Sequence, residues 1–381
     1  MNVDTRCDLR HSIQEIETKG LGGDLSTARA TIKDVAEQSG VSITTVSHVL
    51  NEVPGKRVSQ ETRERVLRVA DELFYRPNRL ARGLRMQRTQ MIGFLSDRVS
   101  TTPFAGRLIL GAQDAAAEAG SLLVLLNSGG DPDLEAREVE ALLERQVDGI
   151  VYAAFYHQVI TPPAGLSRGP AVLLDAESPG SGISSVVPDE VGGSRTAVQE
   201  LLAAGHRRIG FLNNIDDIPA TRLRLLGLRQ ALEVYGVPFD LSLVVDQEAN
   251  AAGGLAAAIA LLTGPDAPTA LFCFNDRMAM GAYQAAAELG LTIPEDLSIV
   301  GFDDQELVSD SLRPGLTTVA LPHYEMGQWA VRNLLEQIAS IDPLPPRHAL
   351  LPCPVIRRGS VASPHSHALQ RTGPSHDLEA M

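Results

Sequence analysis

Five side chains between residues 43 and 48 could read DNA: Ile43, Thr44, Thr45, Ser47 and His48. At helical spacing they lie opposite Val46, Val49 and Leu50. Short hydroxyls, an imidazole and a branched apolar group suit base edges and phosphates in a major groove. A second set of polar residues ends short apolar runs. Asp97 follows MIGFLS, Asp175 stands next to last in AVLLDA, Asn275 ends TALFCFN and Asp303 ends LSIVGFD. In open α/β sheets, ligands bind beyond the carboxyl ends of the strands, where these residues fall.

Catalytic alternatives are weak. Asp303 and Asp304 are adjacent on a strand and must point to opposite faces, so only one can enter a cleft. The sequence holds no P-loop and no GxSxG, and Gly192–Gly193 lacks the dinucleotide fingerprint. His206, in AAGHRRI, reads as a structural histidine at a helix-to-strand turn, and His365, His367 and His376 as solvated side chains. Trp329 shares helical spacing with Met326 and is expected in the core or at a dimer contact. Cys7, Cys273 and Cys353 are too far apart for a disulfide framework or a metal-ligand pattern. No enzyme, cofactor or metal is expected.

The elements that must position these residues follow from charge and periodicity. The 381-residue chain has a net charge of −14. Residues 28–90, however, hold twelve Arg or Lys against seven acids, a net +5, and residues 91–381 carry −17. A basic head on an acidic body fits one module meeting a polyanion. In the head, Ile32, Val35 and Ala36 stripe a first helix, Gly40 suits a tight turn, and Ser42 can cap a second helix. VSQETRERVLRVADELFYRP (58–77) reads as an amphipathic third helix ended by Pro77. RPNRLARGLRMQRTQ (76–90) follows, with five arginines interleaved with Leu80, Ala81 and Leu84. It is a candidate helix ordered by DNA, with a leucine wedged into a minor-groove step.

From residue 91, apolar runs alternate with Ala/Leu/Glu-rich helical stretches at 104–119, 133–146, 192–204, 221–235 and 276–289. Such alternation predicts parallel sheets covered on both faces, and its length predicts two lobes. Residues 1–28 are expected to be a disordered extension and 361–381 a loose tail. No signal-like run or 18-residue apolar stretch is present, so a cytoplasmic protein with no membrane partner is expected.

These stretches resemble the LacI/GalR family of bacterial transcriptional regulators over about residues 30–360. The resemblance is carried by TIKDVAEQSGVSITTVSHVLN, YRPNRLARGLR, IGFLSD, AAGHRRIGFL and RLRLLGLRQAL, then by FNDRMAMGAYQAAAELGLTIPEDLSIVGFDD and PGLTTVALPHYEMGQWAV. The headpiece, with SHV where SRV is commoner, is similar to that of the family's purine repressors. The resemblance implies a small all-α helix-turn-helix headpiece (29–76), a hinge helix or linker (77–90) and a two-lobed effector-binding and dimerisation domain (91–360). That domain would be an α/β periplasmic-binding-protein-like core of two Rossmann-like subdomains. The chain would cross between them near 188–191, 318–323 and 341–346.

The resemblance also implies a homodimer on a pseudo-palindromic operator. Its DNA contacts would come from Thr31, Ile43, Thr44, Thr45, Ser47, His48, Asn51, Asn78, Ala81, Arg82 and the intercalating Leu84. Its effector site would use Asp97, Thr102, Phe104, Asp175, Arg224, Asn275 and Asp303, with Arg222 the exposed rival of Arg224. Carboxylates, an amide, one bidentate donor and a flat apolar face suit a polyol. Residues 246–252 (DQEANAA) lack an aromatic, so a purine stacked between two rings fits less well. The expected function is a repressor of carbohydrate-utilisation genes released by a sugar. The alternatives are a purine- or nucleoside-responsive or corepressor-type regulator, and a solute-binding receptor that does not act on DNA.

Overall fold

A computed structural model describes residues 30–50, 57–75, 88–99 and 106–364. The chain forms two compact units, Met1–Arg82 and Gly83–Met381.

In the first unit, α1 (Ile32–Ser39), α2 (Ile43–Leu50) and α3 (Gln60–Glu72) enclose a core of Val35, Val46, Val49, Val66, Val69 and Tyr75. Gly40 closes α1 in the left-handed conformation (φ 66°), which a residue without Cβ adopts at no steric cost. Val41 N–H then donates to Ala36 O at 3.1 Å and turns the chain into α2. Ser42 Oγ accepts from Thr45 N–H at 3.1 Å, capping α2 as expected. Arg65 Nε donates to Ser39 O at 3.0 Å and ties α3 to the end of α1.

The second unit has two six-stranded sheets. Lobe 1 is ordered β11-β5-β4-β3-β1-β2, from β1 (Met91–Ser96), β2 (Leu122–Asn127), β3 (Gly149–Val159), β4 (Ala171–Glu177), β5 (Ser184–Pro188) and β11 (His348–Leu351). All its pairings are parallel. Lobe 2 is ordered β12-β10-β9-β8-β6-β7, from β6 (Ile209–Asn214), β7 (Val244–Gln247), β8 (Ala270–Cys273), β9 (Ser298–Asp303), β10 (Thr317–Ala320) and β12 (Val355–Ile356). Only β12 runs antiparallel. The central strands are buried on both faces, as near-continuous apolar runs require.

Lobe 1 is flanked by α4 (Gly106–Glu118), α5 (Pro132–Glu144) and α11 (His323–Ala339). Lobe 2 is flanked by α6 (Glu190–Ala204), α7 (Pro219–Val234), α8 (Ala251–Leu262) and α9 (Asp276–Glu288), with the short α10 (Glu306–Ser309) after β9. Asp131, Asp189, Asn250 and Asn275 each cap the helix that follows them, accepting backbone N–H groups at 2.8–2.9 Å.

Two of the expected crossovers fall where the sequence places them, at Asp189 between β5 and α6 and at 321–322 between β10 and α11. The third does not. Residues 341–346 are an exposed loop within lobe 1, and the chain changes lobes at 352–354, between β11 and β12. The reason is that α11 packs on α4 and on the β3–β5 face, so the chain must first add β11 to the sheet 1 edge.

Candidate effector cleft and DNA-reading helix

The headpiece presents α2 as the sequence predicts. Val46 and Val49 are buried, Ile43 and Thr44 are exposed, and Thr45, Ser47 and His48 are half-buried on the helix flank. Thr31 stands at the start of α1, where its backbone N–H and its hydroxyl donate to Asp34 at 2.7 and 2.8 Å. That bond positions the first turn of α1, and Thr31 itself is exposed. Asn51, Asn78, Ala81, Arg82 and Leu84 lie outside the described residues.

The cleft between the lobes of the second unit is built on strand ends. β1 lies between β2 and β3, and β6 between β7 and β8, so each sheet reverses its strand order there. Lobe 1 contributes Asp97 and Asp175. Lobe 2 contributes Asp303, Asn275 and Arg224, the last from the buried face of α7.

Arg224 is the centre of lobe 2's part. Its Nε donates to Glu190 at 2.7 Å and its Nη1 to Asp303 at 3.4 Å, and Nη1 also donates to the Phe274 carbonyl. The guanidinium carbon sits 3.7 Å from the centroid of the Phe302 ring and 4.5 Å from that of Phe274. Planar, delocalised arginine suits such a stacked, two-carboxylate seat better than lysine would. Arg222 points outward and pairs with Asp217 at the exposed surface. Helical spacing decides between the two arginines, since residues two apart on α7 face opposite ways.

Asp303 adopts φ 103°, accepts from Gln305 Nε2 at 2.9 Å, and carries a carboxyl that burial pushes above the usual range while Arg224 opposes the shift. Asp304 turns away to Arg358 at 2.8 Å, so the two adjacent acids serve different partners, as expected. Behind Asp303, buried Asp276 accepts from Gln305 N–H at 2.7 Å and Thr318 Oγ1 at 2.5 Å.

In lobe 1, Asp97 accepts from Gln158 Nε2 at 3.4 Å and from the Arg98 N–H; burial raises its carboxyl and the Arg98 N–H opposes the shift. Asp175 is 2% exposed, adopts φ 57°, and its Oδ1 is buried with no hydrogen-bond partner. Burial raises its carboxyl well above the usual range, reinforced by the charge of Glu190 and opposed by that of Arg224. A carboxyl raised on folding is stabilising in its protonated form below the ordinary carboxylate value, and that stability is lost as pH rises through its folded value. Asp175→Asn is therefore expected to melt above the parent at neutral pH, with the gap closing toward about pH 4. Thermal melts across that range check this, and an unchanged gap would place a cation beside Asp175.

Asn275 serves the structure before any ligand. Its oxygen accepts from Met278 N–H at 2.9 Å and its amide donates to Ala249 O at 3.2 Å, leaving one amide proton for a ligand. It is first a helix cap. Thr102 and Phe104 fall outside the described residues. The sequence does not single out Glu190, Phe274, Phe302 or Tyr156. Tyr156 stacks edge-on against Phe155 at 4.4 Å, and its hydroxyl is raised by burial and by the charges of Asp97 in lobe 1 and Asp216 in lobe 2. The aromatic pair lies within the register shift of the β3–β4 pairing between Ala153 and Gln158. At the edge of the two lobes, Arg107 of α4 meets Glu306 of α10 at 3.3 Å. His206 is structural, bonded to Thr269 Oγ1 at 2.8 Å and Ala362 O at 2.9 Å. Trp329 packs partly buried against the lobe 1 core. Among the described residues, no cluster of His, Cys, Asp or Glu is arranged for a metal. Nor is any helix long and apolar enough to cross a membrane.

The model for bacterial regulatory proteins of the lacI family matches residues 31–78, and the periplasmic binding protein-like domain matches residues 198–361. The HTH-type transcriptional regulator DegA of Bacillus subtilis is 36% identical over 303 residues, covering 78% of this chain and 88% of DegA. The ribose operon repressor of Escherichia coli is 36% identical over 339 residues, covering 87% of this chain and 99% of that protein. Among solved structures, a lac repressor dimer bound to operator and the anti-inducer ONPF superposes with a TM-score of 0.69 at 29% identity. It covers 87% of this chain and 99% of its own.

Proposed function

The chain belongs to the LacI family of bacterial regulatory proteins, and from that membership we propose a sugar-released repressor of carbohydrate-utilisation genes that works as a cytoplasmic homodimer. The observation that carries this reading is the pairing of two constructions in one chain. One is a three-helix headpiece with Ile43 and Thr44 exposed on α2, and the other is a cleft whose polar groups converge from both lobes. The ribose operon repressor and the operator-bound lac repressor dimer support the repressor and dimer parts. A non-enzymatic role is supported by the separate partners of the two adjacent acids: Asp303 leads to Arg224 and Asp304 to Arg358, so these two are not placed to share a proton.

The mechanism is linkage. A ligand that closes the lobes on each other moves the ends of lobe 1 from which residues 77–90 lead to DNA. If the closed form orders that segment poorly, operator affinity falls by the ligand's differential binding energy, about 1–3 kcal/mol. The effector seat would be Asp97, Asp175, Arg224, Asp303 and the spare proton of Asn275, with Phe104 and Thr102 from the segment before α4.

Fluorescence anisotropy of labelled DNA from upstream of the protein's own gene tests this, at one stated salt concentration and with a panel of sugars and nucleosides. Release by a sugar is expected. Tightening by a nucleoside would make the protein a corepressor-dependent regulator, and absence of specific binding would reopen the receptor reading. In the same assay Thr44→Ala, which removes an exposed hydroxyl from α2, should weaken specific binding by about 1–3 kcal/mol and leave non-specific binding unchanged. Equal loss on both DNAs would make Thr44 a phosphate contact.

A further inference from the structure

We infer that the effector carries a protonated amine beside its hydroxyls, an amino sugar or amino polyol, and that Asp175 receives the ammonium. The inference rests on the reading of the interlobe cleft as the effector site. Four carboxylates meet there, Asp97 and Asp175 from lobe 1 and Glu190 and Asp303 from lobe 2, each acting electrostatically on Asp175 or being Asp175 itself. Arg224 is the cation at the centre, its Nε held by Glu190 at 2.7 Å and its Nη1 by Asp303 and the Phe274 carbonyl. Arg98 and Arg277 add positive charge at the margins, acting on Asp97 and Asp303 respectively, while the Arg98 guanidinium lies 5.5 Å from the Phe155 ring centroid.

Asp175 is the independent pointer to a ligand. It is 98% buried in the C-terminal half of β4, and its Oδ1 has no hydrogen-bond partner. A buried acceptor of this kind costs free energy until a donor arrives. A sugar hydroxyl would supply a hydrogen bond but no counter-charge, and the carboxyl would stay raised by burial and by its acidic neighbours. An ammonium supplies the hydrogen bond and the counter-charge together, which a buried carboxylate requires. Glu190 sharpens the preference. With Asp303 it already occupies Nε and Nη1 of Arg224, and its charge pushes the Asp175 carboxyl further up.

Tris and pentaerythritol form a matched pair without stereochemistry: each is a carbon bearing hydroxymethyl arms, and one arm of the neutral compound is replaced by an ammonium in the other. Thermal melts of the full-length protein at neutral pH and constant ionic strength are expected to rise with Tris and stay unchanged with pentaerythritol. Isosteric Asp175→Asn should weaken the apparent Tris affinity at least tenfold. Equal shifts from the two compounds, no shift from either, or a Tris shift that survives in Asp175→Asn would each overturn the inference. The operator-release assay is then run with glucosamine, galactosamine and mannosamine against glucose, galactose and mannose. Release by an amine and not by its parent sugar is the expected result. Release by a neutral sugar alone overturns the amine inference and leaves the sugar-responsive repressor standing. Operator binding that ignores every compound in both sets removes the effector reading along with it.

Discussion

Arg224→Ala is expected to destabilise lobe 2 as well as silence the ligand response. The side chain is 3% exposed, bonded to two carboxylates and a carbonyl, and packed on Phe302 and Phe274. Removing it leaves Glu190 and Asp303 buried without their counter-charge, a loss of about 3–5 kcal/mol. That is a large part of the 5–15 kcal/mol that ordinarily holds a domain together. All four of its contacts lie within lobe 2, on α6, β9 and the residues after β8, so the damage belongs to that lobe and the headpiece fold should survive. The sign of the pH effect is fixed by the same charges. Without the guanidinium that opposes the shift, the Asp303 carboxyl rises further on folding, so the variant should regain stability as pH falls and lose it as pH rises. Thermal unfolding between about pH 5 and pH 8 checks this. Adding Glu190→Gln to Arg224→Ala should recover part of the loss, and the double-mutant cycle measures the coupling. A variant that melts like the parent at neutral pH would mean that Glu190 and Asp303 do not depend on Arg224.

Gly327→Ala should be nearly as costly for a different reason. Glycine in a helix is normally the weaker choice by about 1 kcal/mol, so alanine would stabilise an ordinary exposed site. Here α11 crosses α4 backbone to backbone. A Cβ on Gly327 would stand 2.2 Å from Leu108 O, and one on Gly111 would stand 2.0 Å from Tyr324 O. Neither neighbour is a flexible side-chain end, so the helices must part and the lobe 1 core around Leu108, Ala112, Met326 and Ala330 must loosen. A loss of about 1–3 kcal/mol follows, read as a lower denaturant midpoint with an unchanged slope. Gly106→Ala is the control: it is exposed at the start of α4 with nothing within 4 Å of the added Cβ, and should be neutral or slightly stabilising. The same close approach recurs in lobe 2, where Gly254 and Gly281 seat α8 on α9 at 2.2 and 2.1 Å. A wild-type midpoint for Gly327→Ala would mean that the pair can separate freely.

Much of this was legible in the residues. The α1–turn–α2 unit is local: Gly40, Ser42 and the Val46/Val49 spacing lie within eleven residues, and each acts through its own backbone or its immediate neighbour. The strands of both sheets read as apolar runs because burial on both faces leaves no room for alternation. Polar residues at the strand ends marked the cleft for the same reason, since a ligand site must interrupt an apolar pattern. The strands β5, β7, β10, β11 and β12 were not singled out: each has five residues or fewer, so its apolar run is too short to stand out, and β7, β11 and β12 are largely half-buried as well.

What periodicity in one chain could not fix was which distant groups meet. Glu190 carries no local mark beyond being acidic at the start of a helix, yet it lies 2.7 Å from an arginine 34 residues away because α6 and α7 pack side by side in lobe 2. The third crossover moved to 352–354 because α11 had to cover lobe 1 before the chain could leave it. The glycines of α4, α8, α9 and α11 looked like weak helix positions until two backbones were placed against each other. The sequence by itself determined the headpiece, the alternation of strand and helix, and the polar residues at the strand ends, because those depend on forces between near neighbours. The tertiary structure alone decided the charge balance of the cleft and left Asp175 without a partner. Those depend on groups brought together from both lobes, and on burial that turns an ordinary carboxylate into one that needs a cation.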